Sequence, residues 1–186
     1  MSQESIDCTT IPSRFGELTL LWREDEQGAK VVEILLPRKR TQVPRDARMR
    51  SRPPALEHLC LAIERFLDGQ PVEFAIDLLD SSQCSPFQWT VLMAETTIPR
   101  GYVSSYSQLA SHVGKPRAAR AAGTALARNP FPLIVPCHRT VRSDGSLGGY
   151  GGGLEMKRAL LEMEGVGFDR LGSVRPEFFW DWGETS

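Results

Sequence analysis

Long apolar runs are missing from this chain. No stretch approaches the roughly 20 residues that a membrane-spanning helix needs, and the N-terminus carries no apolar signal segment. Cysteine is scarce and scattered: Cys8, Cys60, Cys84 and Cys137 form no CxxC pair and no knuckle spacing. That argues against a disulfide framework and a zinc site legible in sequence, and for a reducing, intracellular setting. The glycine-rich run Gly148-Gly149-Tyr150-Gly151-Gly152-Gly153 has no Lys-Ser/Thr ending, so it is not a phosphate-binding P-loop. A large net charge is also absent. The sum is −1, which at first sight argues against a polyanionic partner.

The distribution of charge argues otherwise. Between Pro99 and Arg158 stand nine basic residues and only two acidic ones, Asp144 and Glu155, a local excess of seven positive charges. A surface facing phosphates needs such an excess whatever the whole chain sums to, although a charge run is often just a solvated face. With 186 residues, 41% hydrophobic and 24% charged, the chain has the makeup of a globular protein with a sizeable core.

The first part reads as mixed α and β. Strands are predicted over Glu17–Arg23 and Lys30–Leu36, joined by the polar turn Glu24–Gly28, and another over Val72–Leu78. The stretch Leu36–Pro54, with seven Arg or Lys and four prolines, reads as an exposed connection. Ala55–Leu67 has helical spacing, ended by Asp68-Gly69. The polar segment Asp80–Ser85 marks a domain boundary.

Beyond it the pattern is helix-rich. Ser85-Pro86 is an N-cap followed by proline at the first helical position, opening a helix over Phe87–Ile98. Ser105 can cap a second helix, Tyr106–Val113, which Gly114-Lys115-Pro116 breaks; an alanine-rich third follows over Arg117–Arg128. Two helices joined by a short glycine-containing turn form a helix-turn-helix signature. The alanines let the third helix approach another surface closely, or equally pack it against a neighbouring helix. Ser143-Asp144-Gly145 signals a hairpin, and Leu154–Glu164 a last helix with Gly165 at its C-cap. The tail, with Phe178, Phe179, Trp180 and Trp182, is too aromatic to stay solvated and is expected to fold back or meet a partner. His58 and His112 read as ordinary helix residues.

The eight residues Leu133–Thr140 carry the chemistry. A short apolar run leads to Pro136, then Cys137 with His138 as its neighbour. A thiol is a weak nucleophile and a thiolate a strong one, so an adjacent imidazole is what a reactive cysteine requires. Against this, free cysteines are usually small core hydrophobes, and neighbours on a strand point to opposite faces.

The surroundings decide. Pro136-Cys137-His138-Arg139, preceded by Asn129-Pro130-Phe131-Pro132, resembles the signature of the O6-alkylguanine-DNA alkyltransferases. Further matches, in order and spacing, are Pro86-Phe87-Gln88, Ile98-Pro99-Arg100-Gly101, Ser105-Tyr106 with Leu109-Ala110, Arg117-Ala118-Ala119-Arg120-Ala121, Gly149–Leu154 and Leu160–Gly165. The resemblance covers Ser85–Gly165 and, more loosely, the part from Ile11.

It implies an α+β protein: an N-terminal mixed α/β (RNase H-like) domain over 1–82, a C-terminal helix-turn-helix (winged-helix-like) alkyltransferase domain over 83–168, and an aromatic tail over 169–186. It implies irreversible transfer of the alkyl group from O6-alkylguanine, extending to O4-alkylthymine, onto Cys137, one turnover per molecule. His138 would be the base, Glu164 its orienter, and Asn129 the hinge between recognition helix and active-site segment. Arg120 would fill the space of the flipped base and Tyr106 would rotate the nucleotide through its 3′ phosphate. Ser105, Arg117 and the small Ala121 and Ala122 would complete the DNA contact in the minor groove. Tyr150, Gly151, Pro132 and the backbone of Val135 would form the base pocket. No metal and no cofactor are expected. The partner would be double-stranded DNA carrying O6-alkylguanine, with no membrane association, the protein acting as a monomer in a prokaryotic-type cytoplasm or a eukaryotic nucleus.

Two positions depart from the family's pattern. Thr140 stands where an aliphatic residue is usual, and Gly151 where some members carry a serine; both bear on pocket shape. A non-catalytic damage sensor usually carries another residue at the nucleophile, which Cys137 argues against. A transcription regulator would need a base-reading helix in the major groove, and Arg117–Arg128 has few side chains for that.

Overall fold

The computed structural model describes residues 6–26 and 28–183, the side chains of 39–41 excepted. Its contacts divide the α+β chain into two compact units, Met1–Gln83 with Pro130–Ile134, and Cys84–Asn129 with Val135–Ser186.

In the first unit, β1 (Asp7–Ile11), β2 (Leu18–Asp25) and β3 (Gly28–Leu35) form an antiparallel meander, and the short β4 (Arg48–Met49) lies parallel beside β1, giving the order β3-β2-β1-β4. Strand β1 was not anticipated, because its Asp-Cys-Thr-Thr-Ile sequence has no clear apolar alternation. The predicted turn between β2 and β3 includes Gln27, which lies outside the described residues. Helix α1 (Pro54–Leu67) buries Leu56, Leu59, Cys60, Ile63, Phe66 and Leu67 along one stripe, the i, i+3, i+4 spacing seen in sequence.

Two expectations for this unit need correction. Val72–Leu78 is no strand: its residues alternate between exposed and half-buried, a 3₁₀ turn forms at Ile76–Leu78, and only Leu79 bridges to Val31. Pro71 just before it lacks the N–H a ladder would need. Nor is Leu36–Pro54 merely an exposed connection. Arg50 pairs with the buried Asp7 at 3.1 Å, and Arg52 donates to Thr9 Oγ1 (3.0 Å) and the Thr10 carbonyl (2.8 Å), so long-range charge ties it to β1. The segment Pro130–Ile134 belongs to this unit, the Ile34 amide donating to the Pro130 carbonyl at 2.7 Å. Within it the buried Leu133 holds φ at +76°, a conformation costing a branched side chain about 1–3 kcal/mol.

The second unit holds α2 (Pro86–Thr96), β5 (Ser104–Ser105), α3 (Tyr106–His112), α4 (Ala119–Ala127), β6 (Thr140–Val141) and α5 (Leu154–Met163). Ser85 caps α2 by accepting from the Gln88 amide at 3.3 Å, with Pro86 at the first helical position. Ser105 caps α3 in a reciprocal box with Gln108. Helix α4 starts two residues later than predicted. Pro116-Arg117 forms a turn and Ala118 offers no capping side chain, which leaves Arg117 ahead of the helix. The Ser143-Asp144-Gly145 turn forms, but it opens no hairpin, since β6 pairs in parallel with β5.

The C-terminal segment clusters with the second unit. The Val103 amide donates to the Phe178 carbonyl (2.8 Å) and the Trp180 amide to the Val103 carbonyl (2.7 Å). Trp182 donates to Ser104 Oγ at 3.0 Å and stacks on His112, ring centroids 3.9 Å apart. Phe168, Phe178 and Phe179 pack on a core of Val103, Val141, Leu161, Val166 and Val174, so the aromatic residues find apolar cover inside this unit. Among the described residues no helix is long and apolar enough to cross a membrane.

Candidate active site

Cys137 and His138 lie on a 3₁₀ turn, Cys137–Arg139, rather than on a strand. With three residues per turn, successive side chains diverge by about 120°, so neighbours in sequence can serve one site from different directions. The turn is held by the Cys137 amide on the Val135 carbonyl (2.8 Å) and the Arg139 amide on the Pro136 carbonyl (2.7 Å).

His138 is fully buried, and its Nε2 lies 3.1 Å from Glu164 Oε1. Glu164 is the C-cap of α5, where a carboxylate opposes the helix dipole at a cost of about 0.3–1 kcal/mol. Arg139 offsets this with a two-pronged grip, Nε on Oε2 and Nη2 on Oε1, both at 2.8 Å, while its Nη1 donates to the Ile98 carbonyl at 2.7 Å. Burial alone would raise the Glu164 carboxyl; His138 and Arg139 outweigh it and hold it down at about 2. Glu164 is therefore an ionised acceptor at neutral pH, and His138 must donate from Nε2. A neutral ring then presents Nδ1 as its basic nitrogen. Burial lowers the His138 pKa, against the pull of Glu164 and with help from Arg139 and Lys157, so the ring is neutral at pH 7.

Cys137 is partly buried, and burial pushes its thiol up to about 11; a hydrogen bond from Asn129 draws it back, the charge of Glu95 raises it and that of Lys157 lowers it. The resting sulfur is a thiol that needs a base. Asn129 ends α4 with its amide on the Leu126 carbonyl and donates from Nδ2 to the Val135 carbonyl at 3.2 Å, so one side chain joins the helix end to the chain just before Cys137.

The sulfur faces a cavity of about 340 Å³. Its walls are Gly123, Leu126 and Ala127 of α4, the segment Gly149–Gly151, and Tyr106. The Tyr150 hydroxyl is buried and makes no hydrogen bond to the protein. Tyr106 is wedged between two glycines. A Cβ at Gly148, whose φ is +66°, would stand 2.9 Å from its hydroxyl, and one at Gly123 would meet its ring at 3.5 Å. A second hollow of about 440 Å³ runs along the outer face of α4 past Ala119, Arg120, Thr124 and Arg128, sharing Tyr106, Gly123 and Ala127 with the first. One groove thus leads from exposed arginines to the sulfur.

The structure brings together Cys137, His138, Glu164, Asn129, Tyr106, Tyr150 and Gly151. Arg117, Arg120 and Ala121 are exposed on or just before α4. Three residues stand otherwise than expected, Ala122, Ser105 and Pro132. Ala122, expected on the outward face, is fully buried, because one residue along a helix turns the side chain by about 100°. The Ser105 hydroxyl is buried and spent on the α3 cap and on Ser107. The Val135 carbonyl accepts from Asn129 and Cys137 within the protein, so the expectation for its backbone stands open. Pro132 is buried in the first unit and lines neither hollow.

Sequence reasoning missed Arg139, Lys157 and Glu95 as members of the site, and gave no job to Gln88 and Arg100. Gln88 Nε2 donates to the Ala125 (3.2 Å) and Arg128 (2.9 Å) carbonyls at the end of α4, and Arg100 to the Met163 carbonyl (3.0 Å) at the end of α5. Both close helix ends that would otherwise leave orphan acceptors. Among the described residues no group of three or more His, Cys, Asp or Glu could hold a metal ion.

A thiol followed in sequence by a neutral imidazole, which is held by a carboxylate that arginine fixes, is the equipment of a cysteine-dependent transferase or hydrolase. Comparison with known proteins narrows this. The DNA-binding domain of 6-O-methylguanine DNA methyltransferase matches residues 86–166. A methylated-DNA–protein-cysteine methyltransferase of Methanothermobacter thermautotrophicus is 47% identical over 119 residues, 64% of this chain and 66% of that protein. The one from Mycobacterium tuberculosis is 37% identical over 83% of this chain and 90% of its own length. A crystal structure of M. tuberculosis OGT in complex with DNA superposes with a TM-score of 0.70 at 36% identity, covering 85% of this chain and 92% of that one. The chain belongs to the methylated-DNA–protein-cysteine methyltransferase family, whose members repair alkylated DNA by direct alkyl transfer to a cysteine.

Proposed function

We propose that Cys137 takes the alkyl group from O6-alkylguanine in double-stranded DNA, in one transfer per molecule. The observation that carries this reading is the pairing of the Cys137 sulfur with an unpartnered Tyr150 hydroxyl in one base-sized cavity, backed by the His138–Glu164–Arg139 chain. Alkylation at O6 strips guanine of its N1 proton, so the base edge is rich in acceptors. A buried phenol with no protein partner is a donor suited to that edge.

The chemistry balances within the site. His138 Nδ1 draws the Cys137 proton and the sulfur attacks the alkyl carbon. The S–C bond forms as the C–O6 bond breaks, its electron pair stays on the purine, and the proton on His138 passes to the released guanine. The product thioether has no leaving path in this site, so the protein is consumed.

An O6-alkyl group is out of reach inside a base stack, so the nucleotide must swing out. The α3–turn–α4 pair is read as a helix-turn-helix; Arg120, which lines the outer hollow, would fill the vacated space, and Tyr106 borders both hollows. In the first unit, the β1–β3 meander with parallel β4 supports an RNase H-like reading. Contacts from Arg117, Arg120 and Arg128 would be to phosphate and groove, giving salt-dependent binding with little sequence preference.

The test is incubation with duplex DNA containing O6-methylguanine. The peptide holding Cys137 should gain one methyl mass and the lesion should disappear in a one-to-one ratio with protein. Cys137→Ser should bind the DNA and leave the lesion in place. An intact lesion after long incubation with excess protein would overturn the reading.

A further inference from the structure

Two buried charged side chains play no part in the steps above. Glu95, in the last turn of α2, is fully buried. Its Oε2 accepts from Thr140 Oγ1 at 2.7 Å, and its Oε1, equally buried, has no hydrogen-bond partner in the protein. Lys157 on α5 is also fully buried and donates to the carbonyls of Thr140 (2.6 Å), Leu147 (2.5 Å) and Gly149 (3.4 Å). Thr140, the residue that departs from the family's aliphatic pattern, meets both: its hydroxyl goes to the carboxyl group and its carbonyl to the ammonium. It stands three residues after Cys137, while Gly149 lines the cavity that holds the sulfur. A structural role alone would be served at lower cost by apolar residues, since an ionised carboxylate with one hydroxyl donor is expensive to bury.

The groups that sense Glu95 come from several elements. Lys157 of α5 and Arg139 of the 3₁₀ turn attract its negative form; Tyr106 of α3 and Cys137 are made harder to ionise by it. Burial raises the Glu95 carboxyl, the Thr140 hydrogen bond, Lys157 and Arg139 hold it back, and it settles at about 7. It therefore changes charge near neutrality, below Lys157, whose ammonium burial brings down to about 8 against the pull of Cys137 and Glu95.

We propose that Glu95, tied to Thr140 and set against Lys157, is a positioning residue that regulates how readily Cys137 gives up its proton. With Glu95 neutral, the Lys157 charge acts on the sulfur unopposed and favours thiolate; with Glu95 ionised, that help is cancelled. Reactivity of Cys137 is thus damped as pH rises through neutrality, against the ordinary trend for a thiol. The inference rests on Cys137 being the nucleophile, but its test does not require DNA.

Full-length protein is treated with iodoacetamide across mild acid to mild alkali, and carboxamidomethylation of the Cys137 peptide is followed by mass spectrometry, which separates it from Cys8, Cys60 and Cys84. The quantity read is the Glu95→Gln to wild-type rate ratio at each pH. Protonation of His138 affects both proteins and drops out of the ratio. The expected ratio is near one in mild acid and rises through neutrality towards about threefold to tenfold, the effect of half to one pKa unit, over the range below about 8 in which Lys157 keeps its proton. A purely structural role predicts a ratio that does not vary with pH, and that result overturns the proposal.

Thr140→Val provides the second arm. It keeps the carboxyl group but removes the hydrogen bond that lowers its pKa, so Glu95 ionises later. Its ratio to wild type should exceed one only in a window above neutrality and return to one in stronger alkali. If Glu95→Gln fails to give a cooperative melt, this window decides: its presence supports the device and a flat ratio overturns it. Failure to demethylate DNA with both profiles intact would sink the repair function and leave this inference standing.

Discussion

Glu164 and Glu95 are the same residue in nearly the same predicament. Each is buried in the second unit at the C-terminal end of a helix, where a carboxylate is unwelcome. One is held at about 2 and the other rises to about 7. Burial pushes both upward, so burial does not separate them. The partners do: Glu164 meets two guanidinium nitrogens and an imidazole, whereas Glu95 meets a single hydroxyl, with Lys157 spending its donors on backbone carbonyls. Direct charge-assisted hydrogen bonds fix a buried carboxylate as an anion, and charge acting only at a distance leaves it able to titrate. One glutamate is a fixed anion that holds His138, and the other a variable charge beside Thr140.

That comparison can be broken first by removing each carboxylate. Glu164→Ala strands the guanidinium of Arg139 in a largely buried site and should cost about 3–5 kcal/mol in urea denaturation. Glu95→Gln, which keeps an acceptor for Thr140, should cost about 1 kcal/mol or less. Equal losses would show that the two sites are not different in kind. Next comes the imidazole that Glu164 holds: His138→Ala should slow methyl transfer about 10²- to 10⁴-fold with DNA binding unchanged, read in single-turnover assays.

Acidity sharpens the contrast, because the two signs are opposite. The folded pKa of Glu164 lies below its unfolded value of about 4.3, so its contribution is complete above that value and is lost as pH falls towards 2. The folded pKa of Glu95 lies above its unfolded value, so its contribution is present in acid and lost as pH rises through about 7. Thermal melts should therefore show Glu164→Gln approaching wild type in strong acid, and Glu95→Gln gaining on wild type between weak acid and neutrality. Parallel curves would refute the assignment. The smallest effect is expected on the pocket side. Tyr150→Phe removes one donor to the base and should slow transfer about twofold to tenfold, with melting unchanged.

How much of this could be read in sequence depends on the range of the interactions. Ser85-Pro86, the Ser105 cap and the stripe of α1 are local devices whose chemistry sits within four residues, and the helices formed where those signals stood. Cys137, His138 and Glu164 could be named because they belong to motifs recognised together. Arg139 lay inside the same motif and still went without a role, since its grip on Glu164 spans 25 residues and has no spacing rule. Glu95 reaches Thr140 across 45 residues, and in sequence it is an ordinary glutamate on a helix. Ala121 and Ala122 show a finer limit. Composition marked an alanine surface, but only the helix's rotation in the fold decides which of two neighbours faces outward. The basic stretch before α1 misled for a related reason: Arg50 and Arg52 look solvated until β1 supplies Asp7, Thr9 and Thr10.

The stack of Trp182 on His112 has an optical consequence. An imidazole stacked on an indole alters its emission, so the C-terminal segment carries its own fluorescent gauge. Emission should change when the segment lifts away from His112, and that change should be lost in Trp182→Phe. The same signal, followed while DNA is added, would report in real time whether the segment stays seated on Ser104 and α3 as the protein performs its single reaction.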